Sequence, residues 1–319
     1  MSLPAKSVRW RVVVTGGAGF IGSTLVKRIE REWENAEVTV IDDFRSGHFK
    51  NLEGFRGEVI AQNLAKIKLK DFLEPKSVDA IFHLASITDT REQDQRKMTW
   101  DNVESFRRLL EFAREKQIPI TYASSAATYG IDARINSETD ERKPANVYGF
   151  SKVQLENLAA KYLSEPDLQG WKIAGTRYFN VYGPGEAHKG PMASMIYQLY
   201  LQMKAGKKPR VFKSGEQSRD FVHVDDVVEC TLRAMASSKS GVFNAGSGQA
   251  RTFNDLIKCL NNNMLLNLKP DYIDNPFAFF QPFTQADLTR SRTELGYEPK
   301  YSLETGVKQY VNWLEGRAN

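Results

Sequence analysis

The sequence predicts an α/β fold, a doubly wound parallel sheet joined to a smaller, discontinuous α/β lobe. Three observations carry this reading. Apolar β-branched runs alternate with amphipathic helical runs from residue 9 to about residue 180. A glycine-rich turn, "TGGAGFIG", joins the first strand to the first helix. Beyond residue 180 the alternation breaks, and shorter elements rich in Pro, Gly and aromatic residues take over.

Each element has its own signal. "RWRVVVTGG" is a buried strand running into a turn, and "FIGSTLVKRIERE" has helical periodicity. "AEVTVIDDF", the weaker "GEVIAQN" and "SVDAIFHLAS" read as strands two to four. "WDNVESFRRLLEFAREK" is a strongly amphipathic helix and "IPITYASS" the strand after it. "NVYGFSKVQLENLAAKYL" and "WKIAGTRYFN" repeat that pair. "RDFVHVDDVVECTLRAM" is a strand and helix able to rejoin the first lobe, and "KSGVFNAGSG" and "TFNDLIKCL" follow. "SLETGVKQYVNWLEG" closes the chain as an amphipathic helix with Ser302 at its N-cap. The expected division is 1–180, with 219–248 and about 284–289 returning to it, against 181–218, 249–283 and 290–319. The cleft between the lobes is the expected site.

Composition excludes several classes. The 319 residues are 41% hydrophobic and 26% charged, an ordinary globular balance. The net charge is +5, but 44 basic residues are interspersed with 39 acidic ones, so nucleic acid is not an expected partner. The densest basic run, "KAGKKPRVFK", reads as a solvated helix end and loop with a mild attraction for anionic small molecules. Cys230 and Cys259 form no disulfide framework, and the four histidines lack metal-ligand spacing, so no metal is expected. The first residues have no apolar signal region, and no run reaches membrane-spanning length; a cytoplasmic location is expected, without membrane partners.

The glycine turn is the first chemical signal. Gly16, Gly19 and Gly22 let backbone approach a pyrophosphate, and the helix that follows supplies amides and a positive dipole end. Strand, turn and helix together make this a Rossmann-type dinucleotide fingerprint. Asp42 and Asp43 lie about 20 residues on, where ribose hydroxyls are read. Asp42 there favours NAD. Arg45 and Lys50 could neutralise a 2′-phosphate, and they tip the expectation toward NADP. "FHLAS" ends strand four, placing Leu84, Ala85 and Ser86 beneath the nicotinamide half, with His83 as a packing residue.

The second signal is "VYGFSK", which puts Tyr148 and Lys152 on one helix face. A lysine cation there favours the phenolate, lowers the tyrosine from its usual value near 10, and makes it a general base. Ser124 and Ser125 end strand five, and one of them could bind the same substrate oxygen.

With these residues the chain resembles the extended short-chain dehydrogenase/reductase family, along nearly its full length, and within it the nucleotide-sugar epimerases. The matching stretches are "VVTGGAGFIGS", "YASSAATYG", "NVYGFSK", "RYFNVYGP", "HKGPMASM", "RDFV" and "FTQADLT". The resemblance implies Ser125, Tyr148 and Lys152 as a catalytic triad and Lys189 as a second acid/base on the opposite face. It implies a cofactor site lined by Phe20, Ile21, Asp42, Asp43, Asn102 and Val181, with Lys189 beside it. Asn180, Phe212, Lys213, Ser214, Gly215 and Arg219 are implied substrate contacts, with Ser86, Ser125, Gln198 and Phe280 lining the same pocket. The implied reaction is redox-neutral epimerisation through a transient ketone, with a tightly bound nicotinamide cofactor in a homo-oligomer, pentameric in the most similar group.

The chain departs from the family pattern at Pro191, where a serine is usual, at Gln198 for a histidine and at Phe280 for a tyrosine. Gln62 and Asn63 stand where many relatives carry an acid near the adenine. These changes bear on the substrate and leave the chemistry intact. A UDP-sugar 4-epimerase or reductase shares every triad residue. A 4,6-dehydratase needs an Asp-Glu pair where this chain has Ala126 and Ala127. A non-catalytic dinucleotide sensor usually lacks part of the triad that this chain retains.

Overall fold

The computed structural model describes residues 9–90, 92, 94–131, 133–274 and 281–317. The first lobe is built on β1 (Trp10–Thr15), β2 (Ala36–Ile41), β3 (Glu58–Ile60), β4 (Ala80–His83) and β5 (Ile120–Ser125). It is wound with α1 (Phe20–Glu32), α2 (Gln95–Arg114) and, beyond the short β6 (Ile135–Asn136), α3 (Val147–Leu163). β7 (Ile173–Tyr178) follows, and after β8 (Asn180–Tyr182), α4 (Met195–Lys204), β9 (Arg210–Phe212) and β10 (Ser218–His223) the chain returns through α5 (Val224–Ala236) to β11 (Gly241–Ala245). The remainder is β12 (Ala250–Thr252), α6 (Phe253–Met264), β13 (Asp271–Ile273), β14 (Gln285–Ala286), α7 (Thr289–Leu295) and α8 (Leu303–Leu314).

The central sheet has seven strands in the order β11-β7-β5-β4-β1-β2-β3, all paired in parallel. Its order reverses between β1 and β4, and the crevice at such a switch point is where this architecture binds ligands. Helices cover both faces, so β5 is buried at every residue and β1 over its last four, without the alternation of a half-exposed strand. One face packs Val13, Ile81, Phe106, Leu110 and Tyr122 with α2 and α3, and the other packs Val12, Val14, Leu25, Ile29 and Val228 with α1 and α5.

The sequence boundaries shift in three places. α2 begins at Gln95, a turn before the expected start, with the Asp94 side chain accepting from Lys97 N. That first turn is polar and carries no apolar period. Within 219–248, α5 packs on α1 and β11 joins the central sheet, whereas β10 pairs with β8 and β12 in a separate three-stranded sheet. Within 290–319, α7 packs on β11 and α5, and α8 packs on α6. The second lobe has its own core of Ile196, Leu199, Phe221, Leu256, Val307 and Tyr310.

Candidate active site

The dinucleotide crevice begins where β1 ends. Gly16 is left-handed, with φ of 72°, and a Cβ there would lie 2.5 Å from Ala85 N. A Cβ on Gly22 would collide with the Gly16 carbonyl oxygen. Only glycine permits this contact of turn, helix and the segment after β4. Gly19 is the N-cap of α1, and no acid occupies the first turn to compete for an anion. Phe20 is buried and Ile21 half-buried at the crevice wall. These residues fit a dinucleotide pyrophosphate.

Asp42 is 7% exposed, and its carboxylate accepts from Ala18 N and Phe44 N, each at 2.9 Å. Burial raises its pKa and these bonds oppose the rise. It therefore holds the glycine turn in place. Arg45 donates to Asp43 at 2.6 Å and to Asp101 at 2.5 Å, while Lys50 is exposed nearby. The cation expected to meet a 2′-phosphate is thus already engaged by two carboxylates.

Leu84, Ala85 and Ser86 continue β4 along the crevice floor. Leu84 N donates to Thr15 O at 3.0 Å, and Ala85 N lies 3.3 Å from Thr15 Oγ1. Thr15 Oγ1 also meets His83 Nδ1 at 2.7 Å, and the buried His83 ring stacks on Phe106. Asn102, in α2, is 1% exposed; it accepts from Ile87 N and donates to Ile87 O and Ser151 Oγ. Val181 is half-buried in β8.

Ser125, Tyr148 and Lys152 meet at the end of β5 and the start of α3. Asn146 caps α3 by accepting from Gly149 N, which fixes the turn carrying Tyr148. The Ser125 side chain stands near enough to the Tyr148 hydroxyl to oppose its rise in pKa. Lys152 is 2% exposed, donates to Ala123 O at 2.9 Å and has Nζ 5.7 Å from the Tyr148 ring centre. Spacing alone has the lysine lowering the tyrosine. In the structure burial instead raises the Tyr148 hydroxyl, with Ser125 opposing, and lowers Lys152 to about 7, with Glu156 opposing. Desolvation acts on both groups and exceeds the local pairings.

A buried ion network, unmarked in the sequence reading, lies one turn beneath. Glu156 accepts from Ser124 Oγ at 2.6 Å and from Arg177 at 2.8 and 2.7 Å, and Arg142 lies 3.2 Å away. The available signal was spacing, since Tyr148, Lys152 and Glu156 recur every four residues on one face of α3.

The segment bearing Lys189 crosses toward this crevice. Lys189 is half-buried, with Nζ 5.4 Å from the centre of the Phe20 ring. Burial lowers its pKa and the buried Glu186 opposes the shift. Gln198, expected among the substrate contacts, donates to Gly190 O at 2.6 Å and braces this segment.

Asn180 is exposed and accepts from Thr284 Oγ1 at 3.2 Å. Phe212 ends β9, and Lys213, with φ of 53°, and Ser214 turn the chain into the buried Gly215. Arg219 is half-buried in β10, with its guanidinium 5.9 Å from the Phe253 ring, and burial lowers its pKa to about 10. Phe280 lies outside the described residues. Among the described residues, no group of three or more His, Cys, Asp and Glu side chains is placed to hold a metal ion. None of their helices is long and apolar enough to cross a membrane.

A doubly wound sheet with a glycine turn after β1 and a Ser-Tyr-Lys cluster after β5 defines a dinucleotide-dependent protein of the short-chain dehydrogenase/reductase type. The model of the NAD dependent epimerase/dehydratase family matches residues 12–246, and the chain belongs to that family. It is 38% identical over 315 residues to an ADP-L-glycero-D-manno-heptose-6-epimerase of Brachyspira hyodysenteriae, spanning 95% of this chain and 98% of that one. It superposes on the Helicobacter pylori enzyme of the same name with a TM-score of 0.90, at 39% identity over 98% of both chains. UDP-glucose 4-epimerase of Thermotoga maritima gives a TM-score of 0.87 at 29% identity, over 96% of this chain and 99% of that one. The sequence reading of a nucleotide-sugar epimerase agrees with these relatives.

Proposed function

We propose that the chain interconverts ADP-D-glycero-D-manno-heptose and ADP-L-glycero-D-manno-heptose at C6 through a transient ketone. The observation that carries the reading is the pairing of two acid/base candidates at one crevice. Tyr148 stands with Ser125 and Lys152, and Lys189 leans over Phe20 from another segment. The similarity to two proteins named for this reaction supports the choice of sugar.

A nicotinamide dinucleotide, when bound, would supply the hydride acceptor and donor. Gly16, Gly19 and Gly22 would hold its pyrophosphate, and Asp42 and Asp43 its ribose. In the first half-reaction Tyr148 takes the C6 hydroxyl proton as hydride leaves that carbon. Ser125 holds the oxygen, and a protonated Lys152 favours the phenolate. Lys189 would serve one of the two proton transfers, on the face of C6 opposite Tyr148. Arg219 and the 212–215 turn face the nucleotide-sugar.

The cofactor is NADP or NAD. Lys50 favours NADP, and the engagement of Arg45 by Asp43 and Asp101 weighs against it. Assembly with copies of itself, as a pentamer, is the proposed state, and analytical ultracentrifugation reads it directly. The activity test is incubation with ADP-D-glycero-D-manno-heptose while NMR follows the C6 configuration. Inversion at C6 is expected. No inversion, with turnover of a UDP-hexose at C4, would replace this reading with a 4-epimerase.

A further inference from the structure

The segment 183–194 carries Lys189. Its two ends are tied to each other through Glu186, which is 0% exposed. That carboxylate accepts from Gly183 N at 3.2 Å, Ser194 N at 2.5 Å and Ser194 Oγ at 2.8 Å. Toward the dinucleotide lobe the link runs through Asn51. Its Nδ2 donates to Ala18 O, inside the glycine turn, at 2.8 Å and lies 3.1 Å from His188 Nδ1. Gly185 passes so close that a Cβ there would lie 3.8 Å from the Phe20 ring.

His188 Nδ1 has a second neighbour, Gly185 O, at 2.9 Å. A single ring nitrogen cannot accept from Asn51 and donate to Gly185 at once. The neutral tautomer protonated on Nε2 makes the bond between lobes. A ring protonated on Nδ1 turns that bond inward to its own loop. Burial lowers His188 below the ordinary imidazole value, with the Gly185 bond opposing; this favours the neutral ring, in either tautomer.

We propose that Asn51 and His188 are positioning residues that tie the Lys189 segment to the Ala18 turn. The tie holds Lys189 over Phe20 and closes the front of the crevice. A bound dinucleotide leaves when the tie parts. The proposal rests on the reading of the Gly16 to Gly22 turn as the dinucleotide site. It adds a retention device that the triad and the glycine turn do not themselves contain.

The test uses Asn51→Ala, His188→Ala and the double variant of the full chain. NADH and NADPH serve as fluorescent probes, released by a chase of excess oxidised dinucleotide in stopped flow. Deuterium uptake across 183–194 is measured in parallel without added nucleotide. Each single variant should release the probe about three- to tenfold faster, the worth of one net hydrogen bond. Uptake in 183–194 should rise, the double variant should be no worse than Asn51→Ala, and the melting temperature should hold. His188→Phe keeps the ring volume without an acceptor and should repeat the result if an alanine variant fails to fold. Unchanged release and uptake overturn the tie, as does strict additivity of the two substitutions. Wild-type protein that binds neither probe overturns the dinucleotide reading, and the uptake measurement then still decides whether the tie exists.

Discussion

Tyr148 is a half-buried phenol that burial makes a weaker acid, so its use as a base depends on its neighbours. Tyr148→Phe keeps the ring and removes the exchangeable proton. Turnover should fall roughly 10²–10⁴-fold while substrate affinity, measured by calorimetry, stays close to wild type. Near-normal turnover would move the base elsewhere. Lys152 makes a prediction about stability. Its folded value of about 7 lies below the ordinary lysine value of 10.5. Between those values the unfolded chain holds a proton that the folded chain has released, so raising pH through this window favours folding. Below about 7 the depressed pKa costs its full amount. Lys152→Met should therefore flatten the rise in urea midpoint between pH 7 and pH 9, and an equal slope in both proteins would contradict the depressed value. Lys189 separates two mechanisms. If it serves one face of C6, Lys189→Met should strongly reduce epimerisation at saturating substrate. Dismutation of a 6-aldehyde heptose analogue, which needs hydride transfer without inversion, should survive in part. Equal, modest losses that extra substrate reverses would make Lys189 a binding residue.

At the scale of elements, α3 and β7 are joined under the site by Glu156 and Arg177, each nearly inaccessible to solvent. Glu156 also holds Ser124, the neighbour of Ser125, so this pair fixes the end of β5 against the helix carrying Tyr148. Removing one partner strands a buried charge. Glu156→Gln should cost about 3–5 kcal/mol in chemical denaturation, and Glu156→Met with Arg177→Met should cost less than that single change. Costs that simply add would show the two charges to be independent. The network was hard to read from sequence because Glu156 looks like an ordinary helix acid and Arg177 sits in an apolar strand run. Only the pairing of β5 with β7 brings Ser124 opposite Arg177. The start of α2 was missed for a different reason. Its first turn is set by the Asp94 cap and not by an apolar stripe.

For the whole molecule, a redox-neutral cycle gives the cofactor no reason to leave, and the proposed tie of Asn51 to His188 would hold it in. Protein purified without added nucleotide should carry NADP or NAD, identified by mass spectrometry of the small molecules released on heating. An empty protein of weak affinity would count against the epimerase cycle. The alternating pattern, the glycine turn and the Tyr-Lys spacing determined the doubly wound sheet and its crevice. They could do so because strand and helix periods, tight turns and neighbours one helical turn apart are local properties of the chain. What the tertiary structure decided depends on residues far apart in sequence. It placed Arg45 between Asp43 and Asp101, committed the Asn102 amide to Ile87 and Ser151 and let burial outweigh the Ser125 contact on Tyr148. It also divided the returning segments, with β10 pairing in a separate sheet while α5 and β11 pack on the first lobe. Desolvation and hydrogen-bond partners are set by what packs around a group, and no local pattern encodes that surrounding.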